Sequence, residues 1–245
     1  MIDVDGLVRR FGRVVALDGV AFSAPDGAIT GILGPNGAGK TTLMRILATL
    51  IPADEGRCCV DGFDCARDPL AVRERFGILS DAKGLYPRLT ARENVAYFGA
   101  LHGLSTARIT GRIDTLFADL DMVALTNRRT DGFSQGEKMK TAIARALVHD
   151  PQNVLLDEPT NGLDVIATRA MRELILALKR AGKCVLFSSH IMQEVSAVCD
   201  RIVVLDRGRV VAAGTPDELL AVSGRATLED AFVALLGSAA AGLEP

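Results

Sequence analysis

The sequence predicts an α/β fold with a mainly parallel β-sheet, and two observations lead to that prediction. First, the sequence contains three short, almost continuous apolar runs, as expected for strands that are buried on both faces of a sheet. They lie at residues 28–33, 153–156 and 184–187. Second, two of these runs are followed by segments that carry apolar residues at helical spacing, at residues 42–47 and 165–181. Strands and helices that alternate in this way form parallel sheets with helices on their faces.

An N-terminal antiparallel β-subdomain is predicted to pack against this core. Apolar and polar residues alternate from Ile2 to Phe22, and Phe11-Gly12-Arg13 interrupts the alternation as a turn. Phe11 is therefore expected near the tip of a hairpin. Further short strands are expected at residues 58–60 and 76–80.

An inserted α-helical subdomain is predicted at roughly residues 88–150. Thr90 and Glu93 have the spacing of a capping box at the start of one helix, and Ser134 and Glu137 repeat that spacing at the start of another. Residues between these boxes carry apolar side chains at helical spacing. The chain then returns to the sheet with the run that begins at residue 153.

The C-terminal part is predicted to contain a hairpin and two short helical segments. Residues 206–208, Asp-Arg-Gly, separate two apolar runs, and the helical segments follow Pro216. We expect residues 1–220 to form one domain that includes the helical insertion. Residues 221–245 are expected to form a short helical tail with a frayed end from Gly237.

Composition narrows the class of protein. The chain has 245 residues, 49% of them hydrophobic, and a formal net charge of −2. No basic cluster stands out, which disfavours nucleic-acid binding, and no apolar run is long enough to span a bilayer. Met1 leads into charged sequence without a signal-peptide pattern, so a cytoplasmic location is expected. The five cysteines lack metal-binding spacing and are interpreted as reduced, mostly packing residues: Cys58, Cys59, Cys65, Cys184 and Cys199.

A phosphate-binding pattern, G-x-x-x-x-G-K-[ST], follows the first buried run directly. Its residues are Gly34, Pro35, Asn36, Gly37, Ala38, Gly39, Lys40 and Thr41, with Thr42 next in the chain. Glycines allow a tight turn with inward N–H groups, and the helix after it adds the positive end of its dipole. Lys40 is expected to reach the β- and γ-phosphates, and Thr41 to bind Mg²⁺. The fold class is therefore a P-loop NTPase core that binds a nucleotide.

Polar residues follow two of the other buried runs. Asp157 and Glu158 come directly after one run, and His190 follows the run that begins at residue 184. Ligands of open α/β sheets bind at the carboxyl ends of strands, so these side chains are expected near the phosphates. Taken alone, the two acids are equally compatible with a solvated turn, and His190 with an ordinary surface imidazole.

Together the motifs resemble those of the ATP-binding subunit of an ABC transporter, in one order and over nearly the whole chain. Besides the phosphate loop, the resemblance is carried by a signature-like segment, a Walker B strand, a D-loop and a switch histidine, at residues 133–137, 154–158, 161–164 and 190. Residues 77–81, 84–86, 89–94 and 227–232 further resemble bacterial exporter ATPases of the sodium-extrusion and drug-efflux type.

The resemblance implies catalytic roles. Asp157 would hold hydrated Mg²⁺, while Glu158 would polarise the water that attacks the γ-phosphate of ATP. His190 would hydrogen-bond that phosphate, so the catalytic set is Glu158, His190 and Lys40. Phe11 would stack on the adenine ring, although a hairpin phenylalanine is otherwise more often a packing residue.

The resemblance also implies that ATP lies between two subunits of a nucleotide-driven homodimer. Ser134 and Gly136 of one subunit would contact the γ-phosphate held by the other, and Asp164 joins this nucleotide-binding set. The signature segment has Gln135 where glycine is common and Glu137 where glutamine is common, so the family pattern is matched loosely there.

Asp81 is a second departure from the family pattern. It stands where most relatives carry a glutamine whose amide oxygen contacts Mg²⁺ and the attacking water. A carboxylate binds Mg²⁺ more strongly than an amide but is repelled by the neighbouring acids. Asp81 is therefore expected to join the metal ligands Thr41 and Asp157 only after the metal arrives, with a solvated loop residue as the alternative.

The expected function is that of an ATP-hydrolysing motor that drives export, of sodium or of drugs, through a separate membrane permease. The chain would lie in the cytoplasm, peripherally on the inner face of the cell membrane, and would contact the permease between residues 81 and 94. Lys83, Tyr86 and Arg88 are the candidate anchors. The alternatives are a soluble, non-transport ABC ATPase that acts on ribosomes or DNA and, ranked last, a small-molecule kinase, which has no use for the Ser134 segment.

Overall fold

Two β-sheets organise the chain, whose computed structural model describes residues 1–79 and 84–241. The first is an antiparallel sheet in the order β2-β1-β4-β5, formed by β1 (Ile2–Phe11), β2 (Val14–Ala24), β4 (Glu55–Val60) and β5 (Phe63–Asp64). The predicted N-terminal hairpin is thus confirmed, since Phe11 pairs with Val14 at its tip.

The second sheet has the order β10-β9-β3-β8-β7-β6 and is parallel except for its last hairpin. Its strands are β3 (Ile29–Leu33), β6 (Phe76–Leu79), β7 (Asn153–Asp157), β8 (Cys184–Ser189), β9 (Arg201–Asp206) and β10 (Arg209–Gly214). All five residues of β3 and all six of β8 are buried, which explains why these strands read as continuous apolar runs.

Helices cover the sheets and build the inserted lobe. The core carries α1 (Lys40–Leu47), α2 (Pro69–Arg75), α6 (Val165–Arg180), α7 (Met192–Val198), α8 (Pro216–Ser223) and α9 (Leu228–Ala241). The lobe contains α3 (Ala91–Leu101), α4 (Thr106–Asp119) and α5 (Gln135–Leu147), with two 3₁₀ turns at Val123–Leu125 and Thr130–Gly132. None of the helices in the described residues is both long and apolar enough to cross a membrane.

Both predicted capping boxes are present in the lobe. The hydroxyl of Thr90 accepts from the N–H of Glu93, whose carboxylate accepts from the N–H of Thr90; Ser134 and Glu137 make the same exchange. These contacts fix the first turns of α3 and α5 and leave both helix N-termini at the surface.

Two apolar clusters surround the parallel sheet. One joins the sheet to the lobe and α6, with Phe117, Ile143 and Met171 among its buried residues. The other fills the space between the two sheets and α1, with Leu17 and Leu43 among its members.

The C-terminal part differs from the prediction. α8 spans residue 220, where the sequence suggested the start of a tail, and α9 is a helix of 14 residues rather than a short segment. The backbone is helical as far as Ala241, and fraying of the end from Gly237 stays a prediction. Ala231, in the first turns of α9, is buried.

Candidate active site

The phosphate-binding loop joins β3 to α1 and packs closely against β2 and β9. A Cβ atom on Gly34 would lie 2.2 Å from the carbonyl oxygen of Leu205, and one on Gly39 would lie 2.5 Å from that of Ala16. Gly39 also has a φ of 106°, in the left-handed region that favours glycine. The packing of the loop therefore requires glycine at both positions.

The loop presents hydrogen-bond donors at the start of α1. Within the described chain, the N–H groups of Gly37 and Gly39 make no hydrogen bond, and the first N–H groups of an α-helix have no partner inside it. Lys40 is only 6% exposed, and its Nζ donates to the carbonyl oxygens of Gly34 at 2.8 Å and Pro35 at 3.2 Å. Backbone donors, helix N-terminus and ammonium together form an anion site.

Lys40, Glu158 and His190 form a chain of contacts beside this loop. Oε1 of Glu158 lies 3.5 Å from Nζ of Lys40, and Oε2 lies 2.7 Å from Nδ1 of His190. Glu158 directly follows β7 and His190 directly follows β8, which is the neighbouring parallel strand. The strand order thus brings together three candidate residues that are far apart in the sequence.

Ser188 links the two acids, and sequence reasoning did not single it out. Its hydroxyl donates to Oδ1 of Asp157 at 2.6 Å and accepts from the backbone N–H of Glu158 at 3.0 Å. Ser188 is fully buried and lies opposite Asp157 in the β7–β8 register. The available signal was a hydroxyl that ends an otherwise apolar buried strand next to a predicted site.

The surroundings of Asp157 and the backbone conformation of Glu158 are both energetically unfavourable. Burial raises the pKa of Asp157, the hydrogen bond from Ser188 lowers it, and the charge of Glu158 raises it. Glu158 has a φ of 48°, a left-handed backbone conformation that costs a residue other than glycine roughly 1–3 kcal/mol. Such strain clusters where a side chain must be aimed at a ligand.

The oxygen donors suit a hard cation. The Thr41 hydroxyl lies close enough to the half-buried Asp157 carboxylate to lower its pKa, so the two groups lie together at the start of α1. The described residues contain no group of three or more His, Cys, Asp or Glu side chains that could hold a metal by themselves. A cation here would therefore take further ligands from bound phosphate and water, which is the way Mg²⁺ is usually bound.

A second group of candidate residues lies at the junction of α5 and α6. A Cβ on Gly136 would be 3.5 Å from Cβ of Ala167, and Asp164 caps α6 by accepting from the Ala167 N–H at 2.7 Å. Ser134 is exposed, and its hydroxyl oxygen accepts from Glu137. Within the described chain, no hydrogen bond or ion pair joins Ser134, Gly136 or Asp164 to the phosphate loop.

Phe11 lies at the tip of the β1–β2 hairpin. Its ring is 47% exposed at the hairpin tip, and the guanidinium of Arg9 lies 4.8 Å from the ring centroid. An exposed aromatic ring is available for stacking. Thr42 is half-buried in the first turn of α1, whereas Asp81 and Lys83 lie outside the described residues.

Comparison with known proteins agrees with this geometry. Residues 17–161 match the family described as ABC transporter. The ABC transporter ATP-binding protein NatA of Bacillus subtilis (strain 168) is 45% identical, over 89% of this chain and 91% of that protein. The daunorubicin resistance ATP-binding protein DrrA3 of Streptomyces coeruleorubidus is 40% identical, over 91% and 71% of the two chains. The Nod factor export ATP-binding protein I of Paraburkholderia xenovorans (strain LB400) is 34% identical, over 90% and 72%.

Solved structures extend the agreement to the fold. A structure described as the ATP binding subunit of an ABC transporter superposes with a TM-score of 0.89 at 29% identity, covering 96% of this chain and 99% of that one. The predicted mixed α/β architecture is confirmed by this match. The chain therefore belongs to the ABC transporter family, as an ATP-binding subunit that hydrolyses ATP.

Proposed function

We propose that this chain is the cytoplasmic motor subunit of an exporter, peripheral on the inner face of the membrane, whose ATP hydrolysis drives cargo through a separate permease. The observation that carries the proposal is the similarity to ATP-binding proteins named for export and for drug resistance. Drug-like molecules and sodium are the two proposed cargo classes, with drugs supported by the resistance relative.

The proposed chemistry assigns Glu158 to the attacking water. Its carboxylate would polarise the water, and His190, which contacts the same carboxylate at 2.7 Å, would hold it in place and hydrogen-bond the γ-phosphate. Lys40 would exchange its loop carbonyls for the β- and γ-phosphates when ATP binds. Phe11 would stack on adenine through its exposed face.

Thr41 and Asp157 are the proposed Mg²⁺ ligands in the described chain. The raised pKa of Asp157 supports this, because a nearby cation would favour the charged carboxylate that burial disfavours. Bound Mg²⁺ would supply charge neutralisation of the phosphates. The proposal that Asp81 joins these ligands stands on the sequence alone.

A second copy of the chain is proposed to complete the site. Ser134 has its oxygen engaged as an acceptor, which leaves its hydroxyl hydrogen to donate to a phosphate on another subunit. Val165 and Ile166, next to Asp164, are 86% and 82% exposed, an unusual exposure for apolar residues of a helix's first turn. Burial of the first turn of α6 against a second copy of the chain would remove the free-energy cost of exposing these two apolar side chains to water.

The permease contact is proposed around Tyr86 and Arg88. Asn94 is fully buried and clamps Tyr86, accepting from its N–H at 2.8 Å and donating to its carbonyl at 3.1 Å. The Tyr86 ring is 46% exposed and packs edge-on against Tyr97, with ring centroids 5.5 Å apart. A fixed, exposed aromatic pair is suited to anchor a partner helix.

The experiment that tests this function uses inside-out membrane vesicles from cells that express the chain with its permease. Export in the cell becomes uptake into such vesicles, so ATP should drive accumulation of a fluorescent drug or of sodium. Vesicles that contain Glu158→Gln protein serve as the matched control and should accumulate neither. Equal uptake with both proteins, or no uptake with either cargo, would contradict the proposal.

A further inference from the structure

The β4–β5 hairpin brings Cys58 and Cys65 directly opposite each other. The ladder pairs Val60 with Phe63 and Cys59 with Asp64, so the next position outward is Cys58 with Cys65. The N–H of Cys65 donates to the carbonyl of Cys58 at 3.0 Å. Paired residues of this kind have Cα atoms about 5.5 Å apart, within the range of roughly 4.4–6.8 Å found in disulfides.

The two thiols share one face of the hairpin. Cys58 and Cys65 are each 5% exposed and belong to the apolar cluster between the sheets, and the two thiols are close enough for each to shift the pKa of the other. Cys59, one residue along β4, faces the other side, because side chains alternate along a strand. The hairpin therefore holds a close dithiol and a neighbouring thiol that cannot reach it.

The position of the pair favours access by small reagents. β5 has only two residues and forms the edge of the antiparallel sheet, so it lacks a partner strand on its outer side. Short edge strands open locally at a lower free energy than central strands. Opening of β5 exposes Cys65 first, and with it the sulfur of Cys58.

We propose that Cys58 and Cys65 form a peroxide-oxidisable dithiol that closes a reversible disulfide within the hairpin. The Cys58 thiolate attacks one peroxide oxygen, the O–O bond breaks, and water and a sulfenic acid result. The Cys65 sulfur then attacks the sulfenic sulfur, the S–S bond forms, and a second water leaves. The dithiol loses two hydrogens in total as one H₂O₂ is reduced to two waters, and a cellular dithiol reductant reverses the step by exchange.

The two thiols have unequal acidities that suit these roles. The neighbouring Cys65 thiol lowers the pKa of Cys58, and the neighbouring Cys58 thiol raises the pKa of Cys65. Cys58 is therefore the readier thiolate and the attacking residue, and Cys65 the resolving one. Cys184 and Cys199 are buried single thiols whose pKa values burial raises.

The test treats the purified full chain with hydrogen peroxide, removes the excess, and alkylates it with iodoacetamide after unfolding. All three hairpin cysteines lie in one tryptic peptide, residues 58–67. The proposal predicts that this peptide loses two hydrogens and carries one alkyl group, on Cys59, whereas untreated protein carries three. A dithiol reductant added before alkylation should restore all three.

Variants identify the pair. Cys58→Ala and Cys65→Ala should each abolish the loss of two hydrogens, while Cys59→Ala, the matched control, should keep it and carry no alkyl group. Three alkyl groups on the oxidised wild-type peptide would overturn the proposal, as would loss of the bridge in Cys59→Ala. The position of the single alkyl group on the wild-type peptide, on Cys59 and not on Cys58 or Cys65, decides the question even where a buried variant fails to fold.

Discussion

Replacement of Glu158 by glutamine should separate ATP binding from ATP hydrolysis. The amide keeps the length of the side chain, so contact with Nδ1 of His190, now 2.7 Å from the carboxylate, can persist. It cannot accept a proton from water, and general-base catalysis contributes roughly 10²–10⁴-fold, or about 3–5 kcal/mol of barrier. Turnover should therefore fall by about 10²–10⁴-fold.

The assay measures phosphate release at saturating ATP and Mg²⁺, together with the affinity for a fluorescent ATP analogue. The affinity should stay close to that of the wild type, since the loop donors and Lys40 are unchanged. Glu229→Gln, which changes a glutamate in the first turn of α9, is the control for loss of one negative charge. A Glu158→Gln protein that hydrolyses ATP within about twofold of the wild type would refute the assigned role.

Three further predictions concern packing, positioning and pH. Gly34→Ala should abolish nucleotide binding and lower the melting temperature, because the added Cβ would lie 2.2 Å from a carbonyl oxygen. Gly111→Ala, which has open space around it in α4, is the control and should change neither property. Thermal-shift measurements with and without ATP check both variants. Ser188→Ala should reduce turnover and lower the free energy of unfolding by about 1–3 kcal/mol, because the half-buried Asp157 carboxylate and Glu158 N–H lose their partner. Ser196→Ala, at an exposed site, serves as the control. Burial lowers the pKa of His149 to about 4. Between pH values of about 6.5 and about 4 the unfolded chain therefore binds a proton that the folded chain does not, and the free energy of unfolding should fall as the pH drops through this range. His149→Gln should remove up to about 3 kcal/mol of that fall, as measured by urea titrations.

Local patterns predicted most of the fold. Both capping boxes and the hairpin at Phe11 follow from side-chain spacing within a few residues, and the structure contains all three. The length of α9 was underestimated because its Ala-rich and Gly-containing sequence gives no periodic signal. Helix length there depends on packing against α8 and β10, which local sequence does not encode.

In the candidate site, too, local sequence located some residues and could not locate others. The loop motif located Lys40 and Thr41, and strand ends located Asp157 and Glu158, because these signals are contiguous in sequence. Ser188 could not be found in this way, since its role depends on the β7–β8 register. The need for glycine at position 34 likewise arises from a strand that lies about 170 residues later in the chain.

We propose that one chain holds the catalytic half of the site and that a second copy of the chain completes it. The most direct measurement mixes Lys40→Ala and Ser134→Ala proteins, each inactive alone, and follows phosphate release. Random pairing should restore about a quarter of wild-type activity, because half of the two-fold symmetric dimers then contain one intact site. Activity that stays at the level of the separate variants would contradict the claim and place the whole site within one chain.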